Sequence, residues 1–178
     1  SDLMDKLDIV TDESGNEVVL LPEIIFSNKQ NINWNDVEDY LGKYVGELIE
    51  IAETRDIIYI GNKFPDEYGG SSYTRKTKGA RAKAKANAAQ GIREMVEIAT
   101  DKVYRENHKE KHSEDAHNGW FYYVTRFAIP LYNNEKKTGE YNVYSACLVV
   151  NHAANGKMYL YDVVGIKKEA SNPLKTIK

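Results

Sequence analysis

The sequence predicts an α+β domain in which two N-terminal helices pack on one face of an antiparallel β-sheet of about four strands ending in a C-terminal meander. Three observations carry this expectation. Two stretches before residue 100 repeat apolar residues at helical spacing, the pattern after residue 118 changes to strict alternation, and charge divides sharply between the two parts of the chain. At 178 residues with 42% hydrophobic content, the chain can bury one sizeable core, so a single domain is expected over residues 34–170. Residues 1–33 then form an acidic segment or peripheral strand, and residues 171–178 a polar tail.

The run from Val18 to Leu21, closed by Pro22, reads as a short strand. Asn35 suits a helix N-cap, with Glu38 three residues on as in a capping box. Val37, Tyr40, Leu41, Tyr44, Val45, Leu48, Ile51 and Ala52 continue the helical stripe, and this is the first helix. Ile57 to Ile60 reads as a buried strand. The stretch from Phe64 to Tyr73 is expected to be an irregular loop, because Pro65 and the Gly69-Gly70 pair oppose regular structure.

A second helix is expected from about Gly79 to Thr100, with Ala80, Ala84, Ala88, Ile92, Met95, Val96 and Ala99 inward and Gly91 marking a kink or tight contact. Residues 102–118 are polar and read as a loop. Phe121, Tyr123, Phe127, Ile129 and Leu131 then alternate with Tyr122, Val124, Arg126 and Ala128. A turn with Gly139 leads to a strand from Tyr141 to Val150, and the hairpin dipeptide Asn155-Gly156 leads to the last, Lys157 to Ile166.

The net charge of −3 conceals an uneven distribution. Ser1 to Glu67 hold 16 acidic and 5 basic residues, which leaves 11 acidic and 19 basic among the totals of 27 and 24. The stretch from Tyr68 to Arg93 contains Lys78, Arg81 and Lys85 among its cations and no Asp or Glu. It is either a footprint for nucleic-acid phosphates or a counter-surface for the acidic front. No apolar run approaches the roughly 18 residues of a membrane span, so no membrane partner is expected and a cytoplasmic location is. The single cysteine, Cys147, lies in an apolar run and reads as a buried thiol.

Known site motifs exclude several chemistries. His108 and His112 are four apart but lack a cysteine pair or an H-E-x-x-H pattern, and the glycines do not form a dinucleotide or phosphate loop. No metal and no cofactor is expected. The remaining His, Arg, Lys and Tyr residues match the types used to cleave RNA through its own 2′-hydroxyl, which needs an acid, a base and cations on the phosphorane. His112 or His117 can supply a proton-transfer group, Arg126 a forked phosphate donor, and Tyr122 a ring for base stacking. Arg126 can equally be paired with an acid on the solvent side, and the histidines can be solvated.

The segments FPDEYGGSSYT, KGARAKAKANAAQGIREMVEIAT, KHSEDAHNGWFYYVTRFAIPLY, YNVYSACLVV and GKMYLYDVVGIKKEASNPL resemble, in this order, a domain of the large polyvalent proteins of phages and integrative elements. That group is similar to the barnase, EndoU, colicin and RelE-like nucleases. The resemblance implies helices before a four-stranded antiparallel sheet and a metal-independent endoribonuclease. It assigns His112, Arg126, Tyr144 and Lys167 to catalysis. RNA or another single-stranded nucleic acid is the implied partner, with an immunity protein or other domains of a parent chain as further partners. The alternative is a non-catalytic module that binds nucleic acid or protein within a larger polypeptide.

Overall fold

The computed structural model describes residues 6–27, 31–106, 118–169 and 172–175 of the chain. Ile9–Thr11 (β1) and Glu17–Leu20 (β2) form an antiparallel hairpin turned at Gly15, whose φ of 85° is open to glycine at little cost. The Asp12 carboxylate accepts from the amides of Ser14 and Asn16, each at 2.9 Å, and fixes the turn.

The first helix, Trp34–Leu41 (α1), is capped by Asn33 rather than Asn35: the Asn33 side chain accepts from the amides of Asn35 and Asp36. It is also shorter than the apolar spacing predicts. A 3-10 turn at Gly42–Tyr44 and a positive φ of 94° at Gly46 end it, and Leu48–Glu50 becomes a strand, β3. There Ile49 is buried between exposed Leu48 and Glu50, so a stripe that satisfies helical spacing is completed by strand alternation. Ile57–Tyr59 (β4) pairs antiparallel with β3.

The expected loop at residues 64–73 is instead two short helices, Phe64–Gly70 (α2) and Ser72–Lys76 (α3). Pro65 stands in the first turn, where its missing N–H costs nothing, and the glycine pair comes at the helix end. The Ser71 hydroxyl caps α3 by accepting from the Thr74 amide at 3.2 Å. Gly69 sits against the Glu38 side chain of α1, which would have to swing aside to admit a Cβ there.

The single helix predicted from Gly79 is broken into Gly79–Ala88 (α4) and Ile92–Glu97 (α5) by a 3-10 turn at Ala89–Gly91. The break coincides with a close approach, since a Cβ on Gly91 would lie 3.1 Å from Leu21 and 3.2 Å from Val19. Ala84, Ala88, Ile92, Met95, Val96 and Ala99 are buried as expected, while Ala80 is exposed.

Five strands follow: Thr100–Arg105 (β5), Trp120–Asn133 (β6), Lys136–His152 (β7), Met158–Lys168 (β8) and Leu174–Lys175 (β9). The β6–β7 turn lies at Asn134, which takes a φ of 57°, and Gly139 lies inside β7. β6, β7 and β8 form the antiparallel meander, and the β7–β8 turn is built around Asn155-Gly156.

These pieces do not make two helices on a four-stranded antiparallel sheet. Among the described residues they form one nine-stranded mixed sheet of order β1-β2-β6-β7-β8-β4-β3, with β5 on β6 and β9 on β7. The β2–β6 and β4–β8 pairs are parallel. The acidic N-terminal segment thus supplies two strands of the sheet. The sheet curls into a half-barrel: α5 touches β2, β6 and β3, and the two ends of the sheet meet at a cavity of about 370 Å³ lined by Ile9, Glu17 and Glu50. The Ala52 amide donates to the Glu97 carbonyl at 3.0 Å and the Thr125 hydroxyl to the Met95 carbonyl at 2.7 Å, so α5 is held from both sides.

Among the described residues, one ion pair lies inside this core. Lys85 of α4 is 0% exposed and Asp162 of β8 2% exposed, with Nζ 2.6 Å from Oδ1. The ammonium sits 4.5 Å and 5.0 Å from the ring centroids of Tyr68 and Tyr73, and the Asp162 carboxylate also accepts from the Val163 amide. Burial holds the Lys85 ammonium below its usual pKa and the Asp162 carboxyl above its own, while each partner opposes the shift of the other. Removing one charge strands the other. Lys85→Met and Asp162→Asn are each expected to lower unfolding free energy by about 3–5 kcal/mol, and the double substitution by less than the sum of the two. Urea unfolding of the four proteins measures the coupling.

A second ion pair gives the fold a pH dependence. Asp56 accepts from Tyr123 at 2.7 Å and lies 2.8 Å from the Lys102 ammonium. Burial raises its pKa, but the hydrogen bonds from Lys102, Tyr123 and Thr54 outweigh burial and the net shift is downward. Its contribution is therefore present above the ordinary Asp pKa and is lost as pH falls through the depressed value. Asp56→Asn is expected to cost about 1 kcal/mol near neutral pH, discounted because Lys102 is partly exposed, and the deficit should shrink below about pH 4. Urea unfolding curves collected across that range check the sign.

Candidate nucleic-acid interface

Because the helices fill the concave side, the alternate residues of each strand face outward. The register aligns them into one row across six strands: Leu48 of β3, Tyr59 of β4, Tyr159 of β8, Asn151 of β7, Trp120 of β6 and Arg105 of β5. The row is aromatic through its centre. The Tyr59 and Tyr159 rings are 5.6 Å apart, and Trp120 meets Tyr161 edge-on at 5.0 Å. Tyr122, the next outward residue of β6, extends the aromatic surface toward Val103 and Val149. All five rings are half-buried, so each offers part of its area to a ligand.

Cations border these rings. The Lys157 ammonium stands 4.9 Å from the Tyr59 ring centroid, and Arg105 is exposed at the other end of the row. A second outward row joins Arg126 of β6, Ser145 of β7 and Lys167 of β8. Glu169 accepts from Arg126 Nε, which fixes the guanidinium beside the sheet, while Lys167 is exposed. Burial, then the Cys147 thiol, push the Tyr122 hydroxyl above its usual pKa against the opposing Arg105, so the ring stays a neutral phenol.

Where β4 leaves β8 to enter α2, a pocket of about 290 Å³ opens beside the aromatic row. Gly61, Phe64 and Glu67 line one side; Asn151, Tyr159 and Tyr161 line the other. The Tyr159 ring lies over Gly61, 3.4 Å from where a Cβ would stand, and its hydroxyl accepts from Asn155 at 3.2 Å. Asn151 is 8% exposed, and its side-chain oxygen has no hydrogen-bond partner. A buried amide oxygen left unpaired is costly, and native proteins keep few of them.

The structure separates the residues the sequence put forward. Arg126, Lys167 and Tyr122 share the outer face. Tyr144 does not: it is 7% exposed on the inner face, stacked on Phe127 at 5.6 Å. It therefore cannot meet a substrate held by Arg126. His112 lies outside the described residues, as do His108 and His117. Lys78 and Arg81 are exposed at the start of α4, but Lys85 is buried against Asp162 and is no part of a surface stripe. Helical spacing alone aligned the three, and the broad buried face of α4 took the third. Cys147 is half-buried on the outer face opposite Val124 rather than in the core, and burial raises its thiol pKa.

Sequence reasoning missed Tyr59, Trp120, Asn151, Tyr159 and Tyr161. Part of the signal was present: Asn155-Gly156 marks the turn that brings β7 and β8 together, but the turn closes at Ala153 and Lys157, one residue earlier than a two-residue hairpin, and this sets Asn151 opposite Tyr159. The Trp120–Asn151 pairing was not legible, because an irregularity between Pro130 and Tyr132 shifts the β6–β7 register. Among the described residues no helix is long and apolar enough to cross a membrane. No family model matches the chain, and comparisons with curated proteins and with solved structures likewise find no match.

Proposed function

We propose that the chain is a non-catalytic domain that binds single-stranded nucleic acid on the outer face of its sheet. The observation that carries this reading is the cross-strand row of aromatic rings bordered by Lys157 and Arg105, with Lys167 exposed further along the same face. Unpaired bases stack on side-chain rings laid out on a sheet, and cations at the border hold the phosphates between them. A duplex hides its base faces and gains only the electrostatic part.

Catalysis is not part of this reading, since the inward Tyr144 takes no part in a site on the outer face. The overall charge of −3 is no obstacle, as the acids concentrate at the front of the chain and the cations act locally. A cytoplasmic setting fits a nucleic-acid ligand.

Fluorescence anisotropy with labelled single strands at low salt tests the proposal. Tyr122→Ala and Tyr59→Ala are each expected to weaken binding about tenfold, within the roughly 1–3 kcal/mol that one stacked base contributes. Affinity should fall as salt rises, and duplex of the same sequence should bind more weakly. No binding at low salt, or affinity unchanged by both substitutions, overturns it; release of shorter RNA products would favour the nuclease reading.

A further inference from the structure

Resting on the reading of the outer face as a single-strand platform, we infer that the ligand is a single strand that continues into a duplex, and that a belt of cations over the edge of β8 grips the duplex part. The belt is built from Arg75 and Lys76 of α3, Lys78 and Arg81 at the start of α4, and Lys167 and Lys168 at the end of β8. All six are exposed. Among the described residues none of them stands in an ion pair, and Glu169, the acid next in sequence to Lys168, is held by Arg126. The stretch from Tyr68 to Arg93 supplies no carboxylate of its own.

The fold brings the helical cations and the strand cations together. Thr77 closes α3 and directly precedes Lys78, the N-cap residue of α4, so the helical four are gathered at one junction. The Tyr73 hydroxyl accepts from the Ile166 amide at 2.9 Å, which seats α3 against the edge of β8 beside Lys167. Lys167 lies opposite Ser145 in the second outward row, so the belt meets the outer face at the end of that strand.

The rest of the belt surface decides its ligand. Between Arg75 and Arg81 the other exposed residues are Gly79 and Ala80, with Thr77 half-buried, and no ring is offered to a base. A Cβ on Gly79 would meet nothing within 4 Å, so the surface there is low and open. Such a surface reads phosphates alone. A duplex carries one charge per about 1.7 Å of its axis against about 3.4 Å for one strand, so it gains more from phosphate contacts than a single strand does. The rings of the outer face have the opposite preference, since they stack on unpaired bases.

Distance sets what can use both surfaces. From Tyr159 in the aromatic row to Lys167, β8 runs roughly 25 Å at about 3.3 Å per residue. A strand lying on the rings alone stops short of the belt. One that runs on into a duplex engages both, and its second contact is intramolecular.

Anisotropy at low salt compares a single strand of about eight nucleotides, a blunt duplex, and the same duplex carrying that strand as a tail. The wild-type chain is expected to bind the tailed duplex at least about tenfold more tightly than either part, with the blunt duplex, which meets only the belt, the weakest of the three. The fourfold substitution Arg75→Gln, Lys76→Gln, Lys78→Gln and Arg81→Gln should abolish the advantage of the tailed duplex and make its slope of log K against log salt shallower by about 3–4. Affinity for the single strand should stay within about twofold. All four side chains are exposed, so the unfolding midpoint in urea should stay near that of the wild type, which separates lost phosphate contacts from a lost fold. Tyr122→Ala should weaken the single strand and the tailed duplex alike and spare the blunt duplex. A tailed duplex no tighter than its tail, or an advantage that survives the fourfold substitution, overturns the belt and leaves the platform intact. Equal weakening of the single strand by that substitution also overturns it, because the cations would then serve the single strand. Duplex binding that is lost with the four cations, without any binding of the single strand, supports the belt and overturns the platform. Failure of every ligand to bind overturns both.

Discussion

The buried contact between Lys85 and Asp162 governs how the rest of the chain is arranged. It ties α4 to β8 in the middle of the core and draws Tyr68 and Tyr73 around the ammonium. The Tyr68 hydroxyl donates to the Lys85 carbonyl, and the Tyr73 hydroxyl accepts from the Ile166 amide at 2.9 Å. Through these contacts α2 and α3 lie along the edge of β8 beyond its short pairing with β4. A desolvated charge tolerates few alternative packings, so the pair adds registration more than net stability.

The placement of α2 has a direct consequence for the outer surface. With α2 following immediately on the departure of β4 from β8, the edge of the sheet is left as a pocket instead of a continuous ladder. The curl of the sheet around α5 separates the two faces completely: the inner one is filled by the helices and the outer one carries the aromatic row. At the β2 end the outer face is itself closed by a small cluster of Val18, Leu20 and Ala128, packed with Tyr141, Val143 and Leu174. The exposed part of that face that carries the rings is thereby the half nearer β5, β8 and β4, where Lys157 and Arg105 also lie.

Charge division has two structural outcomes. Some cations of the basic half are spent on pairing: Arg93 donates to Glu47 and Lys102 meets Asp56, which joins the acidic front to the basic remainder. Others stay at the surface, Lys157 and Lys167 beside the outer face and Lys78 and Arg81 at the start of α4. The attraction predicted between the two parts is therefore met by specific pairs around α5 and β5, and the cations at the outer sheet face are left to act on a polyanion.

By itself the sequence determined the meander. Strict alternation sets which residues of β6 face in or out, and Asn155-Gly156 marks the β7–β8 turn, because both are local rules of period and turn conformation; the irregularities between Val149 and Val150 and between Ser145 and Cys147 shift the β7–β8 register beyond that turn. Local rules also placed Tyr122 and Arg126 on one face. Only the tertiary structure decided that residues 48–50 are strand, that β2 and β4 join the sheet in parallel, that Lys85 is buried while Lys78 and Arg81 are not, and that Asn151 lies between Trp120 of β6 and Tyr159 of β8. Each of these depends on a partner distant in sequence, and residue spacing carries no information about which distant surface a strand edge or a buried charge will meet.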